Sequence, residues 1–372
     1  MRHNNDSKYD QGEFLLTATA NNLLLFIGSY SEGEDEGIHI CSFDGDREEL
    51  ARLSSISGVK NPTFLNVDEN RKLLYAIGEG EDAEGKKAGE AVCFSFDSVS
   101  GGLTELGRKQ TVHATTCHIQ RDSSNAYLTV TSYHGGLVGL LALNPDGSIG
   151  EVLDVQQHAG SSVHPNQDRP HPHSSFYSRD GHYLFVQDLG LDLIVTYRIV
   201  DGKLVKHQET ALPPGSGPRH LVVHGTLDMV YVINELNSTI SALSFNSKTG
   251  LLALEQTEST LPRDYGGENG CAEIAISNDG RFLYGSNRGH DSIVVFAIDP
   301  LTGGMTTIQH ISTEGGHPRH FALTPDGRHM LVANRDANNV VIFRVSPNQG
   351  TLSYSGKQAA FSKPVCVIPK KL

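Results

Sequence analysis

The chain has 372 residues, with 39 glycines, no tryptophan and 20% charged side chains, a composition unlike that of a disordered polar chain. Its formal charge of −13 argues against nucleic acid, whose phosphates need a basic surface, and against general attraction to anionic membranes. Five cysteines (Cys41, Cys93, Cys117, Cys271 and Cys366) lie far apart with no CxxC spacing, which reads as reduced thiols rather than a disulfide or zinc framework.

Residues 1–20 carry no apolar signal-peptide core and read as a poorly ordered tail. A cytoplasmic protein is the expectation. Residues 21–372 read as one domain. It opens with three strands, NLLLFIGSY (22–30), GIHICSFD (37–44) and LARLSSIS (50–57). One phrase then keeps returning: an apolar strand, a turn often written Asp-Gly, and a second apolar strand. The copies are TFLNVDENRKLLYAIGE (63–79), CHIQRDSSNAYLTVTSY (117–133), HSSFYSRDGHYLFVQDL (173–189), RHLVVHGTLDMVYVINE (219–235), AEIAISNDGRFLYGSNR (272–288) and RHFALTPDGRHMLVANR (319–335). VCVIPKKL (365–372) begins a seventh. The mean spacing of about 50 residues falls in the range of propeller repeats. Two further strands follow each pair, as in SIVVFAIDPLTGGMTTIQHI, and no long stretch has a helical period. The prediction is an all-β, seven-bladed β-propeller with four-stranded blades. Its last blade is closed by the N-terminal strands, which removes open sheet edges.

Repeat register predicts which side chains converge on one mouth of the central channel. First-strand starts supply Thr63, Cys117, His173, Arg219, Ala272, Arg319 and Val365. The next positions supply Phe64, His118, Ser174, His220, Glu273, His320 and Cys366. Second-strand ends supply Glu79, Tyr133, Leu189, Glu235, Arg288 and Arg335, with Ser29 and Tyr30 from the N-terminal segment. The strands are uniform while these positions differ and are rich in Arg, His and Glu. That is the pattern of a site carried on a scaffold. Arg offers a planar fork for carboxylate or phosphate, and His titrates near neutrality. The set suits a small anionic substrate with an electrophilic carbonyl or a mobile proton. No GxSxG, HExxH, Walker or GxGxxG motif is present, and no cofactor is expected. HPNQDRPHPHS (164–174) offers His164, His171 and His173, but no second cluster has ligand spacing, so no metal is expected.

The loop phrases HPHS, DLGLD (188–192), GSGPRH (215–220), NEL (234–236), SNRGHDSI (286–293) and HPRHFALTPDG (317–327) resemble the seven-bladed propeller lactonase family. The resemblance runs from LLLFIGSY to KPVCVIP. That family includes propeller-type 6-phosphogluconolactonases and 3-carboxy-cis,cis-muconate lactonising enzymes. The resemblance implies His173, Arg219, Glu235 and Arg288 as catalytic residues. HPHS leaves His171 and His173 both open, and repeat register favours His173. His171, His118, His220, Glu273, Arg319 and His320 are the candidate substrate-binding residues. The implied activity is hydrolysis of 6-phosphoglucono-1,5-lactone to 6-phosphogluconate, a pentose phosphate pathway step. In that reading His173 is the general base for water and Glu235 orients it or relays the proton. Arg219 and Arg288 hold the substrate anion and developing oxyanion, and Arg319 and His320 form an outer anion contact. Alternatives are a carboxymuconate lactonising enzyme, or a non-catalytic propeller that binds a sugar acid or protein partner. The expected partner is a small anionic lactone or sugar acid, and the expected state a monomer or weak homo-oligomer.

Overall fold

A computed structural model describes residues 22–371, so the predicted tail at 1–20 lies outside the described residues. The chain forms seven four-stranded antiparallel sheets, each the same unit rotated about a central axis. The inner strands of blades 1 to 6 are Leu65–Asp68, His118–Arg121, Pro172–Tyr177, Pro218–Val223, Gly270–Ile276 and Pro318–Leu323. Blade 7 begins with Pro364–Lys370 and is completed by Asn22–Ser29, Ile38–Asp44 and Glu49–Ile56, as predicted. Closure is an antiparallel ladder in which Leu24 faces Lys370 and Gly28 faces Cys366. Contacts between successive inner strands run all the way round the ring.

The apolar runs exist because both faces of each sheet are buried against neighbouring blades. Side chains alternate between faces along a strand, so successive residues serve different cores. In the second strand of blade 5, Phe282–Arg288, Leu283 packs into the core shared with blade 4 and Tyr284 into the core shared with blade 6. A repeated polar tie joins neighbouring blades: Tyr75, Tyr231 and Tyr284 donate to the carbonyls of Gly147, Gly303 and Gly350 at 2.6, 2.8 and 2.9 Å. Those glycines adopt positive φ in the turns of the next blade, a conformation that favours a residue without Cβ.

The inner strands of blades 3 to 7 differ from those of blades 1 and 2. Each contains a β-bulge at its head. In blade 3, Pro172 pairs with Asp188 and Ser174 with Gln187, which leaves His173 as the extra residue. In blade 4 the extra residue is Arg219, and in blade 6 it is Arg319. A proline precedes each of the three, where a missing N–H costs nothing to the ladder.

The ring closure can be tested through Phe26, fully buried in the core between blades 7 and 1 and 5.0 Å from Phe96, centroid to centroid. Phe26→Ala is expected to lower unfolding free energy by about 3–5 kcal/mol, read from urea denaturation. A loss below ~1 kcal/mol would mean that the closing blade contributes little.

Candidate functional site

At the bulged end of the channel lies a cavity of about 260 Å³, near the lower limit of ~300 Å³ for small-molecule sites. It is lined by Tyr30, Thr63, Glu79, Thr115, Thr116, Cys117, Tyr133, His134, His173, Glu235, Arg288 and Arg319. A larger groove of about 850 Å³ adjoins it through Tyr30. Two of that groove's acids are already paired, Glu32 with Lys60 at 2.8 Å and Glu36 with Arg52 at 3.7 Å, and the catalytic candidates do not line it.

The bulges explain the site. An extra residue leaves two consecutive side chains on the channel side, one at the mouth and one a level deeper. His173, Arg219 and Arg319 belong to the upper level. The loops leading into them are fixed by aspartates, Asp188 and Asp192 buried and Asp291 partly exposed. Asp188 accepts from the backbone N–H groups of His171 and Gly190 at 2.7 and 3.0 Å, ahead of His173. Asp192 accepts from Gly215 N and Gly217 N, both at 2.7 Å, ahead of Arg219, and also from Ser162 Oγ and Gln167 Nε2. Asp291 accepts from Gly289 N and His317 N at 3.1 and 2.9 Å, ahead of Arg319. DLGLD and SNRGHDSI are therefore the braces of the HPHS, GSGPRH and HPRH loops. The Glu235 N–H donates to Gly217 O at 2.7 Å, which sets NEL beside GPRH.

Glu235 carries two cations. Its Oε2 lies 3.1 Å from Arg219 Nε and 2.9 Å from Arg288 Nη2. Burial opposes its ionisation, but Arg288, Arg219 and Arg319 together hold its carboxyl below the usual range. Arg219 is buried and donates from Nη1 to Ala272 O at 2.5 Å. Arg288 donates to Gly270 O and Cys271 O at 3.0 and 2.6 Å. Arg319 stands apart. Its guanidinium lies over the Tyr30 ring at 5.6 Å, and among the described residues no carboxylate pairs with it. Burial, followed by the nearby Arg288, makes its charged form less favourable than in water. Three guanidinium groups thus gather around one carboxylate that pairs with only two of them.

His173 is buried, and among the described residues its Nδ1 has no hydrogen-bond partner. Burial first, then Arg219, His220, Arg319 and Arg288, push its pKa well below 6.5, so the imidazole is neutral at neutral pH. Its carbonyl accepts from Thr131 Oγ1 at 3.0 Å and from Cys117 Sγ at 3.1 Å, which fixes the ring's base from blade 2. Tyr133 beside it is kept protonated, its pKa pushed up to about 12 by burial and by Glu235.

The other expected binding residues stand elsewhere. His171 stacks on Tyr133 at 4.1 Å, bonds Tyr133 O through Nδ1 at 2.7 Å, and does not line the cavity. His118, His220, Glu273 and His320 occupy the lower level, because each follows the mouth residue of its strand. They form a buried plug around Phe64, with Glu273 Oε2 3.1 Å from His220 Nδ1 and 3.3 Å from His320 Nε2. His220 touches His173 ring to ring at 5.2 Å, so the plug supports the site from below rather than facing a ligand. His164 caps a 3₁₀ turn, Pro165–Gln167, and is not part of the cavity. Register had marked Glu79, Thr63, Cys117, Tyr133 and Tyr30 as convergent without a role, and all five line the cavity. Thr115, Thr116 and His134 sit in loops outside the repeat phrase, where register carries no signal.

Residues 24–369 match the family described as Lactonase, 7-bladed beta-propeller. A 6-phosphogluconolactonase of Bacillus subtilis is 32% identical over 80% of this chain and 83% of its own length. One of Formosa agariphila is 36% identical over 80% and 86%. A periplasmic gluconolactonase structure from Pseudomonas aeruginosa superposes with a TM-score of 0.87 at 32% identity, covering 94% of this chain and 99% of that one.

The aspartate braces give a direct test. Asp192→Ala leaves two backbone N–H groups without their acceptor in a buried setting. The expected loss is about 2–6 kcal/mol of stability, measured by chemical denaturation, since each of the two stranded donors costs roughly 1–3 kcal/mol. A variant as stable as the parent would show that the loop before Arg219 needs no brace.

Proposed function

The chain belongs to the lactonase family of seven-bladed β-propellers, and from that premise we propose that it hydrolyses 6-phosphoglucono-1,5-lactone to 6-phosphogluconate. The observation that carries the reading is the surplus of positive charge. Arg219 and Arg288 are tied to Glu235, and Arg319 has no carboxylate among the described residues. In a chain of net charge −13, such a cluster calls for an anion to complete it. The names of two relatives, both 6-phosphogluconolactonases, support the phosphorylated substrate.

In this mechanism the neutral His173 takes a proton from water as the oxygen attacks the lactone carbonyl. The carbonyl oxygen becomes an oxyanion, stabilised by Arg288 with Arg219 behind it. The ring C–O bond then breaks, and the imidazolium returns its proton to the departing ring oxygen. Arg319 receives the phosphate. Glu235 is the counter-ion that keeps two guanidinium groups in place. Its depressed pKa makes it a poor proton relay.

Arg288→Ala is expected to lower kcat/KM for the phosphorylated lactone by about 10²–10³-fold, with spontaneous hydrolysis subtracted and the circular dichroism spectrum unchanged. Arg319→Ala should erase the preference for phosphorylated over free gluconolactone. Parent-like turnover by Arg288→Ala would sink the assignment. The pH profile is a second check. His173 works only when neutral, so kcat/KM should stay level from neutrality down through pH 6.5 and fall well below it. A bound phosphate cancels part of the guanidinium field, which raises the imidazole pKa in the complex. The acid limb of kcat is therefore expected at higher pH than that of kcat/KM. Coincident limbs would remove the anion from the account of His173.

A further inference from the structure

The cavity is electrically lopsided, and blade order makes it so. The guanidinium groups that line it, Arg288 and Arg319, come from blades 5 and 6, and Arg219 of blade 4 lies buried behind them, paired with Glu235. Across the axis from blade 5 stand blades 1 and 2. Their share of the wall is Glu79, at the end of the strand Leu73–Glu81, with Thr63, Thr115, Thr116, Cys117, Tyr133 and His134. Glu79 is half-buried. Its Oε1 accepts from Asn61 Nδ2 at 3.0 Å, and among the described residues no cation pairs with it. Lys60, whose charge Glu79 feels, is bonded to Glu32 at 2.8 Å. One wall therefore offers cations in excess, and the facing wall offers the Glu79 carboxylate and hydroxyl groups beside the Cys117 thiol and the His134 ring, with His173 between the two walls.

A carboxylate only accepts hydrogen bonds, so the Glu79 wall suits ligand hydroxyls and repels a ligand carboxylate. We propose that Glu79 is a specificity-determining residue. It admits ligands whose anionic edge faces blades 4–6 and whose neutral, hydroxylated edge faces blades 1 and 2, and it turns away tricarboxylates. This inference rests on the same cavity as the proposed lactone hydrolysis and adds the orientation of the substrate and the class it excludes. A phosphorylated aldonolactone meets the requirement. A carboxylated muconolactone, with anionic groups at both ends, does not.

Binding tests it without any turnover, which separates it from the hydrolase assignment. The probes are glucose 6-phosphate, with one anionic group and a hydroxylated ring, and tricarballylate, with three carboxylates. Each is titrated calorimetrically into the full chain and into Glu79→Gln, which keeps an oxygen for Asn61 while removing the charge. The expected result is at least about tenfold tighter tricarballylate binding in Glu79→Gln, a gain that shrinks as salt is raised. Glucose 6-phosphate binding should weaken or hold, and Glu79→Asp should restore the parent preference. Equal tricarballylate affinity in parent and Glu79→Gln, with both variants folded by circular dichroism, overturns the proposal. So does an equal gain for both probes, because it would mean that Glu79 merely opposes negative charge and does not orient the ligand.

Discussion

At the head of five inner strands the ladder takes in more residues than its partner can pair, and the site depends on this irregularity. In a regular strand, His173 and Ser174, or Arg219 and His220, would point to opposite faces of the sheet. The bulge turns the mouth residue into the channel and keeps the following strand in register with its core. The apolar runs of the blades go on undisturbed, so the scaffold tolerates a polar mouth. Pro-Arg-His appears twice because the same irregularity is built twice, in blades 4 and 6. The two arginines then diverge through their neighbours. Glu235 follows Arg219 in its own blade and claims it, while the equivalent position after Arg319 is Arg335, which pairs with Asp336.

Charge is managed by level. The mouth holds guanidinium groups and the ionised Glu235, beside the space that a ligand and water can reach. The level below holds groups pushed toward neutrality by burial: His118 and His220 well below 6.5, His320 down to about 4, and Glu273 raised. A neutral floor under a charged mouth confines the field to the space where a ligand sits. Outside the channel, the braces from Asp188, Asp192 and Asp291 hold the loops by backbone N–H groups, so the positions of His173, Arg219 and Arg319 do not rest on their own contacts alone.

Much of this was legible in the sequence. Strand alternation and a repeat of about fifty residues were enough for the architecture and for the split blade, because both depend on local patterning. Register also brought His173, Arg219, Glu235, Arg288 and Arg319 to one mouth. It did not separate the two levels, so His220, Glu273 and His320 were read as ligand-facing. Depth depends on which residue the bulge leaves unpaired, and that is decided by pairing with the neighbouring strand. Register likewise chose His173 over His171 by position, whereas the structure gives a reason in the stacking of His171 on Tyr133. The division of one carboxylate between two arginines, and the isolation of Arg319 and Glu79, join residues from separate blades. No local phrase encodes such pairings.

The closing blade also ties the cavity to the order in which the chain is made. Tyr30 lies just past the strand Asn22–Ser29, and its N–H bonds Lys363 O at 3.1 Å, next to the strand Pro364–Lys370. Tyr30 is also the ring beneath Arg319. The wall that carries the free guanidinium is thus assembled from segments more than three hundred residues apart, and its last piece is made after the other six blades. Pairing at such separation is slow, since loop closure must precede the contacts that reward it. A nascent chain with six blades already formed would still lack this wall. Competence to bind an anion therefore reports that the ring has shut, and the ligand itself, by binding only the shut form, would hold it closed.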